Sequence, residues 1–328
     1  MRAIVIPMVG GPEVLTVCEM PDPHPGPQHV GIRVAYAGVN YADIMDRQRG
    51  YHVDHFPYVP GLEVAGYIDE LGEGVEGLRV GQPVAAFVKN GGYAERALAR
   101  AELTFPLDGT HGQLDMAVAA AFPAVTLTAY DVLVHAARLR AGETVLIHAA
   151  AGGVGTVAGQ LARFLGAGLV LGTVGSAPKI AYARSFGYDH VVLRAGFVEA
   201  VRAVTDGRGV DVALDAAGEP TRSQSLSLLA PFGRLVHFGN ASGSPDMPLA
   251  PGVLLTGNKG VIGYSVTNLS RVAPGHLTAT ARHVMDLLVT GHIRIDITDT
   301  LPLEHAALAH RRMESDAHTG KLLLRVQL

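Results

Sequence analysis

The segment VLIHAAAGGVGTVAGQLARFLGA, residues 145–167, decides the fold of this chain. It begins as an apolar run of strand length, passes through small residues, and continues with apolar residues at helical spacing. Ala150, Gly152 and Gly155 stand at i, i+2 and i+5 between the two parts, and Gly153 is a further glycine. This order of strand, glycine loop and helix is typical of dinucleotide binding, because main-chain N–H groups at the start of the helix can approach a pyrophosphate closely.

Strand-length apolar runs alternate with helix-length segments on both sides of this loop. The runs are TVLIHA, LVLGTV, HVVL, VDVALDA, GRLVHFG and GVIGYSV. Their near-continuous hydrophobicity is typical of parallel strands covered on both faces. The pattern predicts an α/β fold, with a doubly wound, six-stranded parallel sheet of the Rossmann type in a domain that spans 121–265.

The residues before this domain have a different rhythm. Short strand-like runs such as HVGIRVAYAGV and EVAGYIDELG are separated by glycine and proline through residues 1–120, which predicts a β-barrel-like unit. After about residue 265 the sequence indicates two helices and two short strands. Two domains are also what a length of 328 residues favours.

Composition narrows the classes of protein. A formal net charge of −4 with 17% charged residues argues against nucleic-acid binding. The apolar stretch Met116–Tyr130 contains Pro123, and we interpret it as too short and too interrupted to span a bilayer. The single cysteine, Cys18, excludes an intrachain disulfide and a multi-cysteine zinc site, so we expect a soluble protein of the reducing cytoplasm.

The strand after the glycine loop predicts which dinucleotide binds. Sites selective for NAD place a carboxylate at the end of that strand to hold the ribose 2′-hydroxyl. Here the strand ends in Gly175 and Ser176 without an acid, while Lys179 and, after the next strand, Arg194 add positive charge. A 2′-phosphate would be attracted rather than repelled, so we predict NADPH as the cofactor; the alternative is that both cations are ordinary solvated charges.

Several further motifs resemble one known family. They are GGPEVL, AGVNYADIMDRQRGY at 37–51, PYVPGLEVAGYIDELGEGV at 57–75, HAAAGGVG, FGNASG at 238–243 and MESDAHTGKLLL. Together they make the chain similar to the zinc-free quinone oxidoreductases of the medium-chain dehydrogenase/reductase superfamily, the group that contains zeta-crystallin. The resemblance implies a GroES-like catalytic domain at 1–120, completed by 266–328, beside the Rossmann domain.

The resemblance also implies cofactor contacts and an assembly. The nicotinamide end of NADPH is expected near Thr128 and Ser265, and a homodimer is expected through the edge strand that holds Val261 to Tyr264. The remaining expected contacts follow the loops after the strands. They are Ala151, Gly152, Gly153, Val154, Gly155, Gly175, Ser176, Lys179, Arg194, Phe238, Gly239 and Asn240.

The same comparison argues against a catalytic metal. Zinc-dependent relatives take ligands from a cysteine and a histidine where this chain reads GVNYAD and PGLEVAG. These segments offer Asn40, Tyr41 and Asp43, then Leu62 before Glu63. Zinc prefers thiolate or imidazole ligands in a tetrahedral set. His52 and His55 could resemble a metal pair, but with no third ligand evident we interpret them as loop histidines, and none of the 15 histidines is assigned a catalytic role.

Without a metal to stabilise an alkoxide, an acceptor that delocalises charge is easier to reduce. We therefore expect an NADPH-dependent reductase of quinones or α,β-unsaturated carbonyl compounds, with Asn40 as a donor to the carbonyl oxygen or an orienter of the nicotinamide. Tyr51 is either a proton donor or pocket lining, and Asp43 is expected to bond local backbone. The alternatives are an enoyl-thioester or other alkene reductase on the same scaffold, a zinc alcohol dehydrogenase, and an NADPH-binding sensor or structural protein with little turnover.

Overall fold

The computed structural model describes residues 1–109, 114–245 and 248–326. The chain forms two compact units, one made of Met1–Leu127 with Val266–Leu328 and the other of Thr128–Ser265. We call them the catalytic unit and the nucleotide unit. The sequence interpretation placed the first boundary at 120/121, whereas the division between the units falls at 127/128, inside a helix.

The nucleotide unit contains a six-stranded parallel sheet. Its strands are β8 (Thr144–Ile147), β9 (Leu169–Val174), β10 (His190–Leu193), β11 (Val210–Asp215), β12 (Leu229–His237) and β13 (Gly260–Gly263). They lie in the order β10-β9-β8-β11-β12-β13, with parallel pairing throughout. All six apolar runs identified in the sequence form strands of this sheet. From β8 the strand order runs outward to β10 on one side and from β11 to β13 on the other, so the order reverses between β8 and β11.

In the described part of the nucleotide unit, five helices connect these strands. They are α3 (Gly153–Phe164), α4 (Pro178–Arg184), α5 (Phe197–Val204), α6 (Thr221–Leu228) and α7 (Pro251–Gly257). The central strands β8, β9 and β11 are buried almost without interruption, as their hydrophobicity requires, whereas the edge strands β10 and β13 are only partly buried. Leu146, Leu171, Phe197 and Leu235 belong to one apolar cluster, in which each side chain contributes about 1.5–3 kcal/mol by leaving water.

The catalytic unit is built around a largely antiparallel sheet. Its strands are β1 (Arg2–Val5), β2 (Thr16–Glu19), β3 (His29–Val39), β4 (Glu63–Leu71), β5 (Pro83–Phe87), β6 (Arg96–Arg100), β7 (Thr104–Pro106), β14 (Ile297–Pro302) and β15 (Lys321–Arg325). Strands β1 and β2 pair with each other, and the others form a seven-stranded sheet in the order β14-β15-β3-β4-β5-β7, in which β6 also pairs with β3.

Among the described residues, four helices belong wholly to the catalytic unit. They are α1 (Tyr41–Arg49), α8 (Val266–Val272), α9 (Pro274–Val289) and α10 (Ala306–Glu314). The core of this unit draws on both ends of the chain, since Ile32 and Ile68 pack in the same cluster as Leu303 and Leu324. The C-terminal segment therefore completes the sheet rather than forming a separate domain.

Helix α2 (Met116–Asp131) corrects one expectation from the sequence. The apolar stretch around Pro123 is not interrupted, because the helix runs through the proline and continues as a π-turn at Val132–Ala136. The resulting 21-residue span has a mean hydropathy of 1.7, so by length and composition it could cross a membrane. However, 78% of its most apolar window is buried inside the protein, which is typical of a core helix.

Candidate functional site

The glycine loop of the nucleotide unit joins β8 to α3, with Gly152 as the residue that precedes the helix. A Cβ atom on Gly155 would lie 2.2 Å from the carbonyl oxygen of Ala149 and 2.8 Å from the Cα atom of Ala150, so no side chain fits there. A Cβ atom on Gly152 would meet only that same oxygen, at 3.3 Å. Gly155 therefore allows the helix to pack on the strand, whereas Gly152 leaves open space beside the main chain.

Helix α3 presents its first turn to that open space. The N–H groups of Gly153, Val154 and Gly155 are at helix positions that have no intrahelical acceptor, and the helix dipole adds partial positive charge. The loop lies at the carboxyl end of β8, next to the β8/β11 reversal, where ligands bind in doubly wound sheets. This cradle fits a pyrophosphate.

A buried histidine supports the loop from the strand side. Nδ1 of His148 lies 2.9 Å from Oγ1 of Thr173, and Nε2 lies 2.7 Å from Oγ of Ser225. Because the Ser225 hydroxyl donates to the Thr221 carbonyl, Nε2–H donates to Ser225 and Nδ1 accepts from Thr173. Burial, with a smaller contribution from the charge of Arg194, lowers the pKa of His148 to about 3, so the imidazole is neutral and ties β8 to β9 and α6.

The residues expected to select the nucleotide lie at neighbouring strand ends. Gly175 and Ser176 follow β9, and Lys179 is in the first turn of α4 with 7% of its surface exposed. Arg194 follows β10, and its N–H donates to the carbonyl of Val174 at 2.8 Å, which places it beside the end of β9. Two cationic residues and one hydroxyl residue thus follow neighbouring strand ends, and the end of β9 carries no carboxylate.

The loops after β11 and β12 pack against each other through a buried ion pair. Asp215 accepts hydrogen bonds from the N–H groups of Ala217 and Gly218 and pairs with Nε of Arg222 at 2.9 Å. Arg222 also donates to the carbonyl of Gly239 at 2.7 Å. Burial raises the pKa of Asp215, and the Arg222 charge opposes this. The sequence analysis missed this pair, which holds the segment Phe238–Asn240 in place.

Asn240 closes its own loop, since its amide donates to the carbonyl of Ser244 at 2.9 Å and accepts from the Ser242 hydroxyl. Thr128 is 93% buried, and its side chain forms a hydrogen bond with the hydroxyl of Tyr264. That hydroxyl also donates to Asp131 at 3.0 Å, and burial raises the pKa of Tyr264. Ser265 directly follows this tyrosine and is exposed.

In the catalytic unit, strand register brings three polar side chains to one end of the sheet. Asn40 follows the last residue of β3, Glu63 is the first residue of β4 and Lys321 is the first residue of β15. Strand β3 lies between the other two, with Leu322 paired to Val39 and Val64 paired to Ala37. Residues far apart in sequence therefore meet, and we call them the Asn40 cluster.

The Asn40 cluster is buried and densely bonded. Lys321 is 1% exposed, and its ammonium lies 2.5 Å from Oε1 of Glu63, 2.6 Å from Oδ1 of Asn40 and 3.0 Å from the carbonyl of Val39. Nδ2 of Asn40 donates to the same Glu63 oxygen at 2.9 Å. Three acceptors thus match the three N–H groups of the ammonium, which is the condition for a charged pair in an apolar interior.

Two further contacts fix the position of the Glu63 side chain. A Cβ atom on Gly38 would lie 2.2 Å from Oε1 of Glu63, so this strand position must be glycine. The other carboxylate oxygen, Oε2, accepts the N–H of Ala124 at 2.6 Å, next to Pro123 in α2. Because a proline ring disturbs helical bonding around it, Glu63 stabilises the helix at this point as well as pairing with Lys321.

Asp43 has the structural role expected of it. Its carboxylate accepts the N–H groups of Asn40, at 2.8 Å, and Gly61, at 3.2 Å, together with the hydroxyl of Tyr93, at 3.0 Å. Burial raises the pKa of Asp43 to about 7, against the opposing effect of these hydrogen bonds. Asp43 therefore holds the start of α1, and with it the backbone of Asn40.

The loop after α1 does not join the Asn40 cluster. Tyr51 is 54% exposed, and its ring packs edge-on against His52 at 4.1 Å. His52 binds Asp46 through its N–H, at 2.8 Å, and through Nδ1, at 3.1 Å, while His55 is exposed. The two histidines are thus loop residues with different surroundings.

Comparisons with known proteins agree with this arrangement. Residues 26–111 match the alcohol dehydrogenase GroES-like domain family, and residues 153–285 match the zinc-binding dehydrogenase family. The chain is 37% identical to a quinone oxidoreductase of Pseudomonas aeruginosa over 96% of both chains, and 32% identical to a 2-haloacrylate reductase of a Burkholderia species over 98% of both.

Two solved structures are similar over the whole chain. Escherichia coli quinone oxidoreductase complexed with NADPH is 30% identical with a TM-score of 0.92, over 99% of this chain and all of that one. Mycobacterial Rv1454c complexed with NADPH is 32% identical with a TM-score of 0.92, over the same shares. The fold and site define a nicotinamide-dependent oxidoreductase with a GroES-like domain and a Rossmann domain. The chain belongs to the quinone oxidoreductase family of the medium-chain dehydrogenase/reductase superfamily.

This superfamily implies a nicotinamide cofactor and, in some members, zinc, and the residues of this chain fit the first but not the second. The cofactor is NADPH, and it fits, because the nucleotide unit offers main-chain donors without an intrahelical acceptor at Gly153–Gly155 and cations at a strand end without an acid. Zinc does not fit the Asn40 cluster. Its side chains are an amide, a carboxylate and an ammonium instead of thiolate or imidazole, and Lys321 already pairs with the carboxylate.

Sequence reasoning missed Glu63 and Lys321, the two buried charges beside Asn40. Each is a charged residue in an otherwise apolar strand, LEVAGY for Glu63 and GKLLLR for Lys321. Charges of opposite sign in such strands are the available signal, because a buried charge must be paired. Nothing in the sequence indicated that the two strands flank β3.

Proposed function

We propose that this chain is an NADPH-dependent reductase that transfers hydride to quinones or to the double bond of α,β-unsaturated carbonyl compounds. The Asn40 cluster carries the proposal, because it offers a hydrogen-bond donor, and not a metal site, in the catalytic unit. Such a donor is sufficient for an acceptor that spreads the incoming charge over a conjugated system. The names of the relatives, quinone oxidoreductase and 2-haloacrylate reductase, support this substrate class.

The residues have separate tasks in this reaction. Gly152–Gly155 bind the pyrophosphate, and Ser176, Lys179 and Arg194 bind the 2′-phosphate. When bound, NADPH supplies the hydride from C4 of its nicotinamide ring. Asn40 donates an amide N–H to the acceptor's carbonyl oxygen, where charge accumulates as the hydride arrives. Tyr51, exposed in its loop, lines the acceptor site or supplies the proton.

An alkene reductase is a second candidate, and one observation favours it. Haloacrylates carry a double bond conjugated to a carboxylate, so reduction of such an alkene uses the same hydride and the same oxygen contact. The chain is also 30% identical, over 96% of its length, to a phenolphthiocerol/phthiocerol polyketide synthase subunit of which it spans 14%. An enoyl thioester is therefore a reasonable member of the test panel.

A cofactor-consumption assay tests these functions directly. Oxidation of NADPH and of NADH is followed with 1,4-naphthoquinone, a cyclic enone and a crotonyl thioester, each over a range of concentrations. We expect kcat/KM to be highest with NADPH and a quinone or enone. A preference for the thioester would select the second candidate, and NADPH binding without turnover of any acceptor would instead favour a sensor or structural protein.

We also propose that two copies of the chain associate through the edge of the nucleotide unit. Strand β13 ends the sheet, so among the described residues its outer edge has no partner strand. Beside it, Phe232 is 82% exposed and Leu255 is 79% exposed, which is unusual for such large apolar side chains. The variant Phe232→Glu with Leu255→Glu should elute as a monomer where the parent elutes as a dimer; identical masses by light scattering would contradict the proposal.

A location in the cytoplasm is proposed as well. The single cysteine, Cys18, forms no disulfide, and a chain without disulfides suits a reducing compartment. Cell fractionation would test this proposal.

A further inference from the structure

Lys321 and Glu63 fix which way the Asn40 amide faces. An asparagine amide has one accepting end and one donating end, and rotation by 180° exchanges them. Here the Lys321 ammonium, which can only donate, lies 2.6 Å from Oδ1. The Glu63 carboxylate, which accepts, lies 2.9 Å from Nδ2. The reverse orientation would place two donors together and two acceptors together, so the pair permits one orientation.

That orientation leaves the amide one unused donor. Nδ2 carries two hydrogens, and one is bonded to Glu63. Among the described residues no hydrogen bond is found for the second Nδ2 hydrogen, and 9% of the surface of Asn40 is exposed.

We propose that Lys321 and Glu63 are positioning residues that orient Asn40 as the donor to the acceptor's carbonyl oxygen. The inference rests on the proposed function, in which Asn40 contacts that oxygen. Neither charged residue contacts the acceptor in this proposal; each acts through Asn40. The buried charges are held at some cost in desolvation, and the function that they serve is to keep a neutral donor in one orientation.

The test must separate positioning from folding. Removing one charge leaves the other buried and unpaired, and the protein could fail to fold for that reason alone. The informative variant therefore removes both charges and keeps the shape, as Glu63→Gln combined with Lys321→Met. In this variant the glutamine can donate or accept, and the amide of Asn40 can take either orientation.

Four proteins form the thermodynamic cycle: the parent, Asn40→Ala, the Glu63→Gln/Lys321→Met double variant, and the triple variant. We expect kcat with the best acceptor to fall on the order of tenfold in the double variant, the scale of a misplaced catalytic group. The KM for NADPH should stay within about twofold, because NADPH binds the nucleotide unit. The triple variant should be no slower than Asn40→Ala, since Lys321 and Glu63 have nothing left to position.

A matched control removes an ion pair elsewhere in the same sheet. Arg96→Met with Glu70→Gln deletes a 2.5 Å pair between β6 and β4, together with the 2.9 Å pair of Arg96 with Asp69, and kcat should be unchanged. If the double variant keeps the parent kcat, or if its loss is equally large in the Asn40→Ala background, the positioning role is overturned while the proposed function stands. If Asn40→Ala itself turns over at the parent rate, the donor role of Asn40 fails, and the inference with it.

Discussion

The cofactor loop and the Asn40 cluster are built in opposite ways. The cofactor loop of the nucleotide unit is a continuous stretch, residues 148–155, whose functional groups are main-chain amides. The Asn40 cluster is discontinuous, since Asn40 and Lys321 are 281 positions apart and its functional groups are buried side chains. The difference shows that a site made of backbone leaves a local mark in the sequence, whereas a site made of distant side chains does not.

The largest effect should come from breaking the charge pair on one side only. Lys321→Met leaves the Glu63 carboxylate buried at 0% exposure without its cation, and we expect a loss of about 3–5 kcal/mol in the free energy of unfolding. Denaturant unfolding of the purified variant measures this loss. Glu63→Gln added to Lys321→Met should restore most of the stability, and a single variant as stable as the parent would mean that the pair is not charged in the folded protein.

Two glycines of the cofactor loop should respond differently to the same added methyl group. Gly155→Ala places Cβ 2.2 Å from a backbone oxygen that cannot move aside, so we expect a loss of about 1–3 kcal/mol in stability together with weaker NADPH binding. Gly152→Ala meets only a contact at 3.3 Å, at a φ of −87° that alanine accepts. Its stability should match the parent while its affinity for NADPH falls at least about tenfold.

Unfolding midpoints and NADPH fluorescence titrations on both variants decide this comparison. If Gly152→Ala binds NADPH as tightly as the parent does, the phosphates do not approach that part of the main chain. If Gly155→Ala is as stable as the parent, the close packing of α3 on β8 is not needed.

Acid should weaken each unit through one buried neutral histidine. The pKa of His148 in the nucleotide unit and of His310 in the catalytic unit is about 3, lowered chiefly by burial. The unfolded chain takes up a proton near pH 6.5, so the stabilising contribution is complete above that pH and is lost as the pH falls towards 3. Between pH 7 and pH 5 each histidine should account for about 2 kcal/mol of lost stability.

Denaturant unfolding of His148→Asn and His310→Asn at both pH values measures these contributions. Each variant should lose less stability than the parent between pH 7 and pH 5, even if it is less stable at pH 7. A parent-like pH dependence in either variant would show that its histidine is already protonated in the folded state.

The smallest effect concerns the choice of nucleotide. Lys179→Ala should weaken NADPH binding about tenfold, which corresponds to about 1.4 kcal/mol, and should leave NADH binding nearly unchanged. The reason is that only NADPH carries the 2′-phosphate. Fluorescence titration with both nucleotides measures this, with Arg184→Ala, an exposed cation at the end of the same helix, as the matched control. Equal losses for the two nucleotides would remove Lys179 from the phosphate site.

Much of the fold could be predicted from the sequence, because its signals are local. The six strands of the nucleotide unit were identified from apolar runs, and the glycine spacing placed the loop between β8 and α3. The helix through Pro123 could not be identified in this way. Proline normally interrupts a helix, and here the Glu63 carboxylate, which binds the next N–H, comes from another strand.

The candidate site was also predictable only where its signal is local in the sequence. Asn40 was recognised from its motif, but nothing near it in sequence indicated the charges that orient it. Lys321 meets Asn40 because β15 pairs with β3 in one register, and a shift of one residue would turn Lys321 to the other face of the sheet.

The sequence by itself therefore determined the alternation of strands and helices, the phosphate loop and the absence of an acid at the end of β9. These depend on short segments, in which the order of residues is also their order in space. Only the tertiary structure decided which charges are buried, which partners they have, and which way the Asn40 amide faces. The physical reason is that pairing a buried charge requires atoms within about 3 Å, and strands from the two ends of the chain reach that distance only when the sheet has formed.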